Sequence, residues 1–254
     1  MVPPLCWITN AFDRSPAELL WVTSDKWGPL KGSLLNLSYG NGKVFVVPHE
    51  SVARAASLSS SSEKEDDTEK QGDTKKAEKE GTGWQPVPRQ GGMCELPIPQ
   101  FPTGIMRGRF SEADGQLYVC GMFAWAGNQT QSGGFYRIRA TGRPAHAPIG
   151  LAAKKNGLSI TFTEPLDPAT AADAARDVIQ TWSLKRTANY GSKHFDEQTL
   201  KVANVTLSPD RKTVWLELPD IRPTWGMSID YKLTGSNGEP VHGLIHNTIH
   251  SLGE

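Results

Sequence analysis

The sequence predicts an all-β protein, and three patterns support that prediction. A turn followed by an apolar strand occurs twice, in Gly40–Val47 and in Ala113–Cys120. Short runs of β-branched and aromatic residues recur between Gly, Pro, Asp and Ser residues, as strands between tight turns do. From about residue 149 onwards, polar and apolar residues alternate, which is typical of half-buried strands.

The region before residue 148 contains short strand candidates on both sides of a polar stretch. Asn41-Gly42 and Asp114-Gly115 suit tight turns with positive φ. Eight such strands correspond to about two four-stranded blades, so we predict that residues 1–148 are C-terminal blades of a β-propeller. The candidates are Leu5–Ile8, Leu19–Val22, Leu34–Leu37, Lys43–Val47, Cys94–Ile98, Ile105–Phe110, Gln116–Gly121 and Gly134–Ala140.

Residues 57–83 are rich in Ser, Glu, Lys and Asp and contain a single large apolar residue, Leu58. Such a stretch buries too little apolar surface to offset the entropy lost on ordering. We predict a disordered surface insertion within one domain.

Residues 149–254 are predicted to form a separate Ig-like β-sandwich. Leu158–Phe162 alternates as a strand, and Asp167 followed by Pro168 suits the start of a short helix that extends to Arg176. Ser208–Arg211 suits a hairpin turn between two further strands. About seven strands in this length are the usual content of such a sandwich.

The charge balance and the length of the apolar runs exclude two classes of partner. The chain has 27 basic and 27 acidic residues, without a basic stripe, so we expect no nucleic-acid binding. No apolar run reaches the ~20 residues of a membrane helix, so we expect no membrane insertion. Met1-Val2-Pro3-Pro4 does not begin a signal peptide.

No motif identifies a reaction. Gly-x-Ser-x-Gly, Walker and dinucleotide-binding loops are absent from the sequence, and so are Cys-x-x-Cys and the Cys-x-x-Cys-His of c-type haem attachment. Two of the three cysteines, Cys6, Cys94 and Cys120, could form a disulfide. We interpret all three instead as small buried apolar residues.

Three histidines recur every four residues: His242, His246 and His250. On a helix they would share a face and suggest a metal site. Val241, Ile245 and Ile249 occupy odd-numbered positions, which on a strand face away from the even-numbered histidines, so this apolar–polar alternation predicts a strand instead. Residues four apart on a strand lie ~13 Å from each other. We therefore predict a solvated strand face.

Two arginines, Arg107 and Arg109, share a face of a predicted strand and could clamp an anion. Alternatively they pair with acidic neighbours such as Glu112 and Asp114, or line the channel of a propeller. We adopt the second interpretation.

Tryptophans provide a second functional hypothesis. Trp215 faces away from the predicted core, and Trp182 and Trp225 lie near strand ends. An exposed indole can bind the apolar face of a sugar, which would make the chain a carbohydrate-binding module. Packing between the module and the propeller is the alternative, and we adopt it.

Several unusual segments resemble the C-terminal region of the membrane-bound dehydrogenase-like, haem-binding-protein-associated β-propeller proteins of planctomycetes and verrucomicrobia. The similarity extends over almost the whole chain except the insertion. The segments are Leu5-Cys6-Trp7, Trp27-Gly28-Pro29-Leu30, Leu37-Ser38-Tyr39-Gly40, Gly104-Ile105-Met106-Arg107-Gly108-Arg109-Phe110, Asp114-Gly115-Gln116-Leu117-Tyr118-Val119-Cys120-Gly121, Gly133-Gly134-Phe135, Phe162-Thr163-Glu164-Pro165-Leu166-Asp167-Pro168, Asn189-Tyr190-Gly191-Ser192 and Asn247-Thr248-Ile249-His250.

The resemblance implies a propeller similar to quinoprotein sugar dehydrogenases, followed by an Ig-like module, in the periplasm or outside the cell. It implies upstream propeller blades or a cytochrome c subunit as partners. We expect no cofactor in this chain, because haem c lacks its attachment motif. Pyrroloquinoline quinone and calcium need a His base, clamping arginines and a calcium site, for which only Arg107, Arg109 and Asp114 are of the right kind.

The sequence therefore predicts a C-terminal piece of a quinoprotein-dehydrogenase-like propeller protein that is not catalytic alone. The alternative is a non-catalytic module that binds carbohydrate, such as a polysaccharide, or another protein.

Overall fold

The computed structural model describes residues 4–50, 89–123, 130–188 and 191–254. These residues form antiparallel sheets, none of which closes into a barrel, and the all-β prediction is confirmed. The predicted insertion at 57–83 lies outside the described residues. The β-propeller and Ig-like assignments, and the division at residue 148, stay predictions.

The first seven described strands form two successive meanders. Strands β1 to β4 pair in chain order, and β5 to β7 form a separate three-stranded sheet. Their bounds are β1 Pro16–Trp21, β2 Leu34–Ser38, β3 Val44–Val46, β4 Gln90–Glu95, β5 Arg107–Phe110, β6 Leu117–Met122 and β7 Gly133–Ile138.

The remaining strands form two facing sheets. Their bounds are β8 Pro148–Lys154, β9 Gly157–Phe162, β10 Asp177–Ser183, β11 Phe195–Leu200, β12 Asn204–Leu207, β13 Thr213–Glu217, β14 Thr224–Thr234 and β15 Pro240–Ile249. One sheet has the order β12-β13-β9-β8, and the other contains β11-β10-β14-β15. Buried side chains from both sheets, among them Leu158, Phe162, Ile179, Leu216 and Ile229, form a common core between them.

An unexpected pairing joins the two parts of the chain. Strand β15 pairs with β4, with Ile245 opposite Cys94 and Asn247 opposite Gly92. The result is one eight-stranded sheet of order β1-β2-β3-β4-β15-β14-β10-β11. Alternation of polar and apolar residues predicts which face of each strand is buried, but it does not identify the strand that pairs with each edge.

A second core lies between the two meanders. Leu35, Leu37 and Val46 from the long sheet are buried together with Leu117 and Val119 from β6. The three-stranded sheet therefore covers one face of β1 to β3, and its own opposite face points away from this core.

The N-terminal segment covers the other face of the long sheet. Leu5, Ile8 and Phe12 pack against the buried Phe45 and its neighbours. Residues Leu5–Ile8, predicted as a strand, form none. A Cβ at position 91 would lie 2.4 Å from the Leu5 side chain, so glycine permits this close approach.

Local turn and capping predictions agree with the structure. Gly42 and Gly115 have positive φ, and the hairpin of β12 and β13 turns at Ser208–Arg211. The backbone N–H of Ala169 donates to Asp167, which caps helix α1, Pro168–Ala171. This helix ends earlier than predicted, and a separate 3₁₀ turn, Ala174–Arg176, follows it.

Candidate functional site

The three histidines of β15 do not share one environment. His242 is exposed, His250 is half-buried just after the strand, and His246 is 7% exposed. The prediction of a solvated strand face is therefore wrong for His246. Its ring stacks on Phe12 at 4.0 Å between centroids, so the N-terminal segment covers this face.

His246 belongs to a buried aromatic cluster. Trp182 lies 5.4 Å from the His246 ring and stacks on His194 at 4.1 Å. Burial, and to a smaller extent nearby His194, lowers the pKa of His246 to about 4. The imidazole is therefore neutral near pH 7. Among the described residues, no group of three or more His, Cys, Asp or Glu side chains is arranged to hold a metal ion.

The two predicted arginines lie on the surface of the three-stranded sheet. The guanidinium of Arg109 donates to Glu18 at 2.7 Å, and the backbone N–H of Gly108 donates to the same carboxylate. Burial opposes ionisation of Glu18, but these hydrogen bonds outweigh it and lower its pKa. Arg109 therefore has an acidic partner, supplied by β1 rather than by Glu112 or Asp114.

Asp114 serves the turn before β6. It accepts hydrogen bonds from the backbone N–H of Gln116 at 3.0 Å and from the Tyr118 hydroxyl at 2.8 Å. These two bonds, the first being the stronger influence, lower the pKa of Asp114. Among the described residues, no ion pair joins Asp114 to Arg107 or Arg109; Arg109 pairs with Glu18.

The three-stranded sheet exposes apolar groups among cations. We call this surface the outer face; it consists of the outward side chains of β5 to β7, namely Arg107, Arg109, Tyr118, Cys120, Met122, Phe135 and Arg137. Phe135 is 71% exposed, and its ring stacks on that of Tyr118 with 5.7 Å between the centroids. Met122 and Phe123 at the end of β6 are also exposed.

The tryptophans have three different roles. Trp215 is half-buried and lies over Gly157, where a Cβ would approach its ring to 2.5 Å. Trp182 is buried in the cluster around His246. Trp225 is 46% exposed, so the structure makes Trp225, and not Trp215, the accessible indole of the three.

Trp225 borders a cleft of about 400 Å³, which we call the Trp7–Trp225 cleft. It lies between the N-terminal segment and the residues that follow β10, and Lys185 and Arg186 also line it. Neither Trp7 nor Arg186 is predicted from the sequence as a site residue. The segment Leu5-Cys6-Trp7 carries part of the family resemblance, but nothing in its local sequence predicts that it lies beside β14.

A larger cleft, of about 460 Å³, lies near the junction of the two cores. Its lining includes Trp27, His146, Tyr231 and His242. Within the described ranges, no hydrogen bond joins His146 or His242 to a carboxylate or hydroxyl. Among the described residues of this cleft, neither histidine is therefore hydrogen-bonded to a nucleophile in the manner of a Ser–His or Cys–His pair.

The three cysteines are free. Cys94 is buried, and burial raises its pKa to about 11, although Tyr231 hydrogen-bonds to it. Cys6 is half-buried, and burial raises its pKa to about 12. Cys120 is exposed on the outer face, so the interpretation as a small buried apolar residue is wrong for this cysteine.

Two buried polar residues are not among the candidates predicted from the sequence. Asn247 is fully buried inside the sandwich, and neither amide atom has a partner among the described residues. Asp177 is 7% exposed, and burial, with Asp173 and Asp230 nearby, raises its pKa to about 7. Asn247 lies between the core-facing Ile245 and Ile249, and Asp177 shares the parity of the buried Ile179, so strand alternation is the signal that could have found both.

No protein-family model, no curated protein and no solved structure matches this chain. In the part of the chain that the structure describes, no helix has the length and apolar character needed to span a bilayer.

Proposed function

We propose that this chain is a non-catalytic region of a propeller-type, dehydrogenase-like protein and that its outer face packs against a further antiparallel sheet. The observation that carries the proposal is the outer face itself, where Phe135, Met122 and Cys120 lie exposed on a regular sheet. Exposed apolar sheet surfaces of this kind mark interaction sites.

The packing of the two meanders supports the same interpretation. The inner face of the three-stranded sheet already packs on β1 to β3 through Leu117 and Val119. Blades of a propeller stack in the same face-to-face manner around an axis. An additional blade on the outer face would continue this arrangement and bury Phe135.

The proposed partner is the upstream blade region of the same protein, in the periplasm or outside the cell. A cytochrome c subunit is the second partner that the resemblance implies. The proposed role is structural, because the exposed apolar side chains of the outer face supply a packing surface for a further sheet.

Thiol labelling of Cys120 tests the docking directly. The reading frame immediately upstream is expected to encode further short strands, and co-expression with that segment should slow alkylation of Cys120 at least tenfold. Phe135→Asp should abolish the protection, whereas Val178→Asp, a change at an exposed apolar residue on the long sheet, should preserve it. Unchanged alkylation in a complex that forms through another surface would contradict the proposal.

The claim that the chain is not catalytic alone has a separate test. The isolated chain, given pyrroloquinoline quinone and calcium, should show no turnover in dye-linked sugar or alcohol dehydrogenase assays. Turnover that depends on the quinone would overturn the non-catalytic role.

A second candidate function is carbohydrate binding, and the Trp7–Trp225 cleft is the observation that favours it. The cleft combines a 46%-exposed indole with two cationic side chains. Trp215, from which the hypothesis arose, is half-buried over Gly157 and offers less accessible ring surface.

A further inference from the structure

Two indoles form one wall of the Trp7–Trp225 cleft. The ring centroids of Trp7 and Trp225 lie 5.7 Å apart, and their planes are inclined by 52°. Aromatic rings in this arrangement stabilise each other beyond the area that they bury. The inclined pair offers an apolar corner rather than a flat slot for a single planar ring.

A β-bulge and one hydroxyl group position both indoles. Thr224 pairs with Ile249 and Met227 pairs with Asn247, so Trp225 and Gly226 together lie opposite Thr248. Bulges of this kind redirect a side chain. The Thr248 hydroxyl donates to the Trp225 backbone carbonyl and accepts from the backbone N–H of Trp7, both at 2.8 Å. The relative position of the two rings is therefore fixed by the fold.

The cleft is positively charged. The Arg186 guanidinium lies 4.9 Å from the centre of the Trp7 ring, and the Lys185 ammonium lies 4.2 Å from the centre of the Phe195 ring. Neither cation forms an ion pair within the described part of the chain, and no Asp or Glu is among the described residues that line the cleft. Cation–π contacts hold these groups in place and leave their charges without a carboxylate partner.

The remaining wall supplies polar groups. Thr9 and Asn10 of the N-terminal segment line the cleft opposite the residues that follow β10. Amide and hydroxyl groups of this kind donate to and accept from sugar hydroxyls.

We propose that the Trp7–Trp225 cleft binds an acidic saccharide, in which a pyranose ring packs on the indole of Trp225 and an anionic oxygen group contacts Arg186. The proposal rests on the second candidate function and specifies its site and ligand class. A planar guanidinium suits two oxygens of one carboxylate or sulfate group. The volume of about 400 Å³ lies within the range of small-ligand sites.

Charge argues against nucleic acid as the occupant. The chain has a formal net charge of zero, and the described residues that line the cleft include two cations, Lys185 and Arg186. Nucleic-acid sites use a larger basic footprint to neutralise successive phosphates. An acidic saccharide needs only one or two cations beside an apolar wall.

Isothermal titration of the whole chain with oligosaccharides tests the proposal. The probes are a trigalacturonate, a sulfated galactose oligosaccharide, neutral cellotriose and a short single-stranded DNA. We expect the uronate or the sulfated probe to bind, and to bind at least tenfold more tightly than cellotriose at 50 mM salt. Raising the salt concentration should weaken this binding, because part of it is electrostatic.

Matched variants locate the site. Arg186→Gln should weaken binding of the acidic probe about tenfold or more and leave the weak binding of cellotriose unchanged. Trp225→Ala should weaken both. Trp21→Ala, which removes an indole that is 53% exposed, and Lys201→Gln, which removes an exposed cation, should change neither.

The possible outcomes distinguish a failure of the acidic specificity from a failure of carbohydrate binding itself. Binding of cellotriose as tight as that of the acidic probes would overturn the acidic specificity and retain carbohydrate binding. No binding of any saccharide would overturn both, and preferential binding of the DNA would replace them with a nucleic-acid site. Acidic-probe binding that survives both Trp225→Ala and Arg186→Gln would refute the assignment to this cleft.

Discussion

Replacement of Asp177 by Asn should remove a pH-dependent loss of stability. The Asp177 carboxyl lies at the start of β10, is 7% exposed, and its Oδ2 has no hydrogen-bond partner among the described residues. Burial is the main cause of its raised pKa, and the carboxylates of Asp173 and Asp230 add to it. Ionisation in the folded state is therefore unfavourable.

The magnitude follows from the difference between the folded and unfolded pKa values. The pKa rises from 3.8 to about 7 on folding. Each unit corresponds to about 1.4 kcal/mol, so ionisation at high pH destabilises the folded chain by up to about 4 kcal/mol. Because the folded state retains the proton longer, this contribution to stability is complete below about pH 4, is lost as the pH rises to about 7, and changes little above that.

Urea denaturation at half-unit steps from pH 4 to pH 8 measures this effect. The free energy of unfolding of Asp177→Asn, minus that of the wild type, should increase across this range by an amount on the order of 4 kcal/mol. Asp220→Asn, at an exposed carboxylate, is the control and should give a flat difference. A flat difference for Asp177→Asn would show that the carboxyl is solvated in the folded state.

Three further predictions concern the strand faces. His246→Phe should abolish a loss of stability that sets in as the pH falls from 6.5 towards 4, because burial lowers the folded pKa of His246 to about 4; urea titrations at pH 7 and pH 4.5 would reveal it, and an equal difference at both pH values would contradict it. In the isolated native chain, Cys120 should react with a thiol reagent within minutes, whereas Cys94 should react only after denaturation, as mass spectrometry would show; rapid native labelling of Cys94 would disprove its burial. Gly121→Ala should lower the stability by at least about 2 kcal/mol, since a Cβ there would lie 1.6 Å from a backbone oxygen; a melting temperature equal to that of the wild type would refute this packing.

Strand content and local turns could be predicted because both depend on neighbouring residues. Asn41-Gly42 indicates a turn that needs positive φ at the glycine, and Gly42 has it. The buried face of β15 was also predictable, and Val241, Ile245 and Ile249 all point into the sandwich. In each case the residues of one short segment are enough to determine the local structure.

The candidate sites were less predictable. Both indoles of the Trp7–Trp225 cleft depend on contacts across most of the chain, since Thr248 holds the N-terminal segment beside β14. The ion pair of Arg109 with Glu18 likewise joins distant strands. The sequence shows that each side chain can form such a contact, but it does not show which partner is nearby.

By itself, the sequence determined that the protein is built from short antiparallel strands and which side of β15 faces the core. Only the tertiary structure decided what covers the other side, where Phe12 buries His246, and that β4 continues the sheet beyond β15. The physical reason is that alternation encodes the burial of a face, whereas the element that covers it, and the strand that pairs at its edge, are selected by long-range packing.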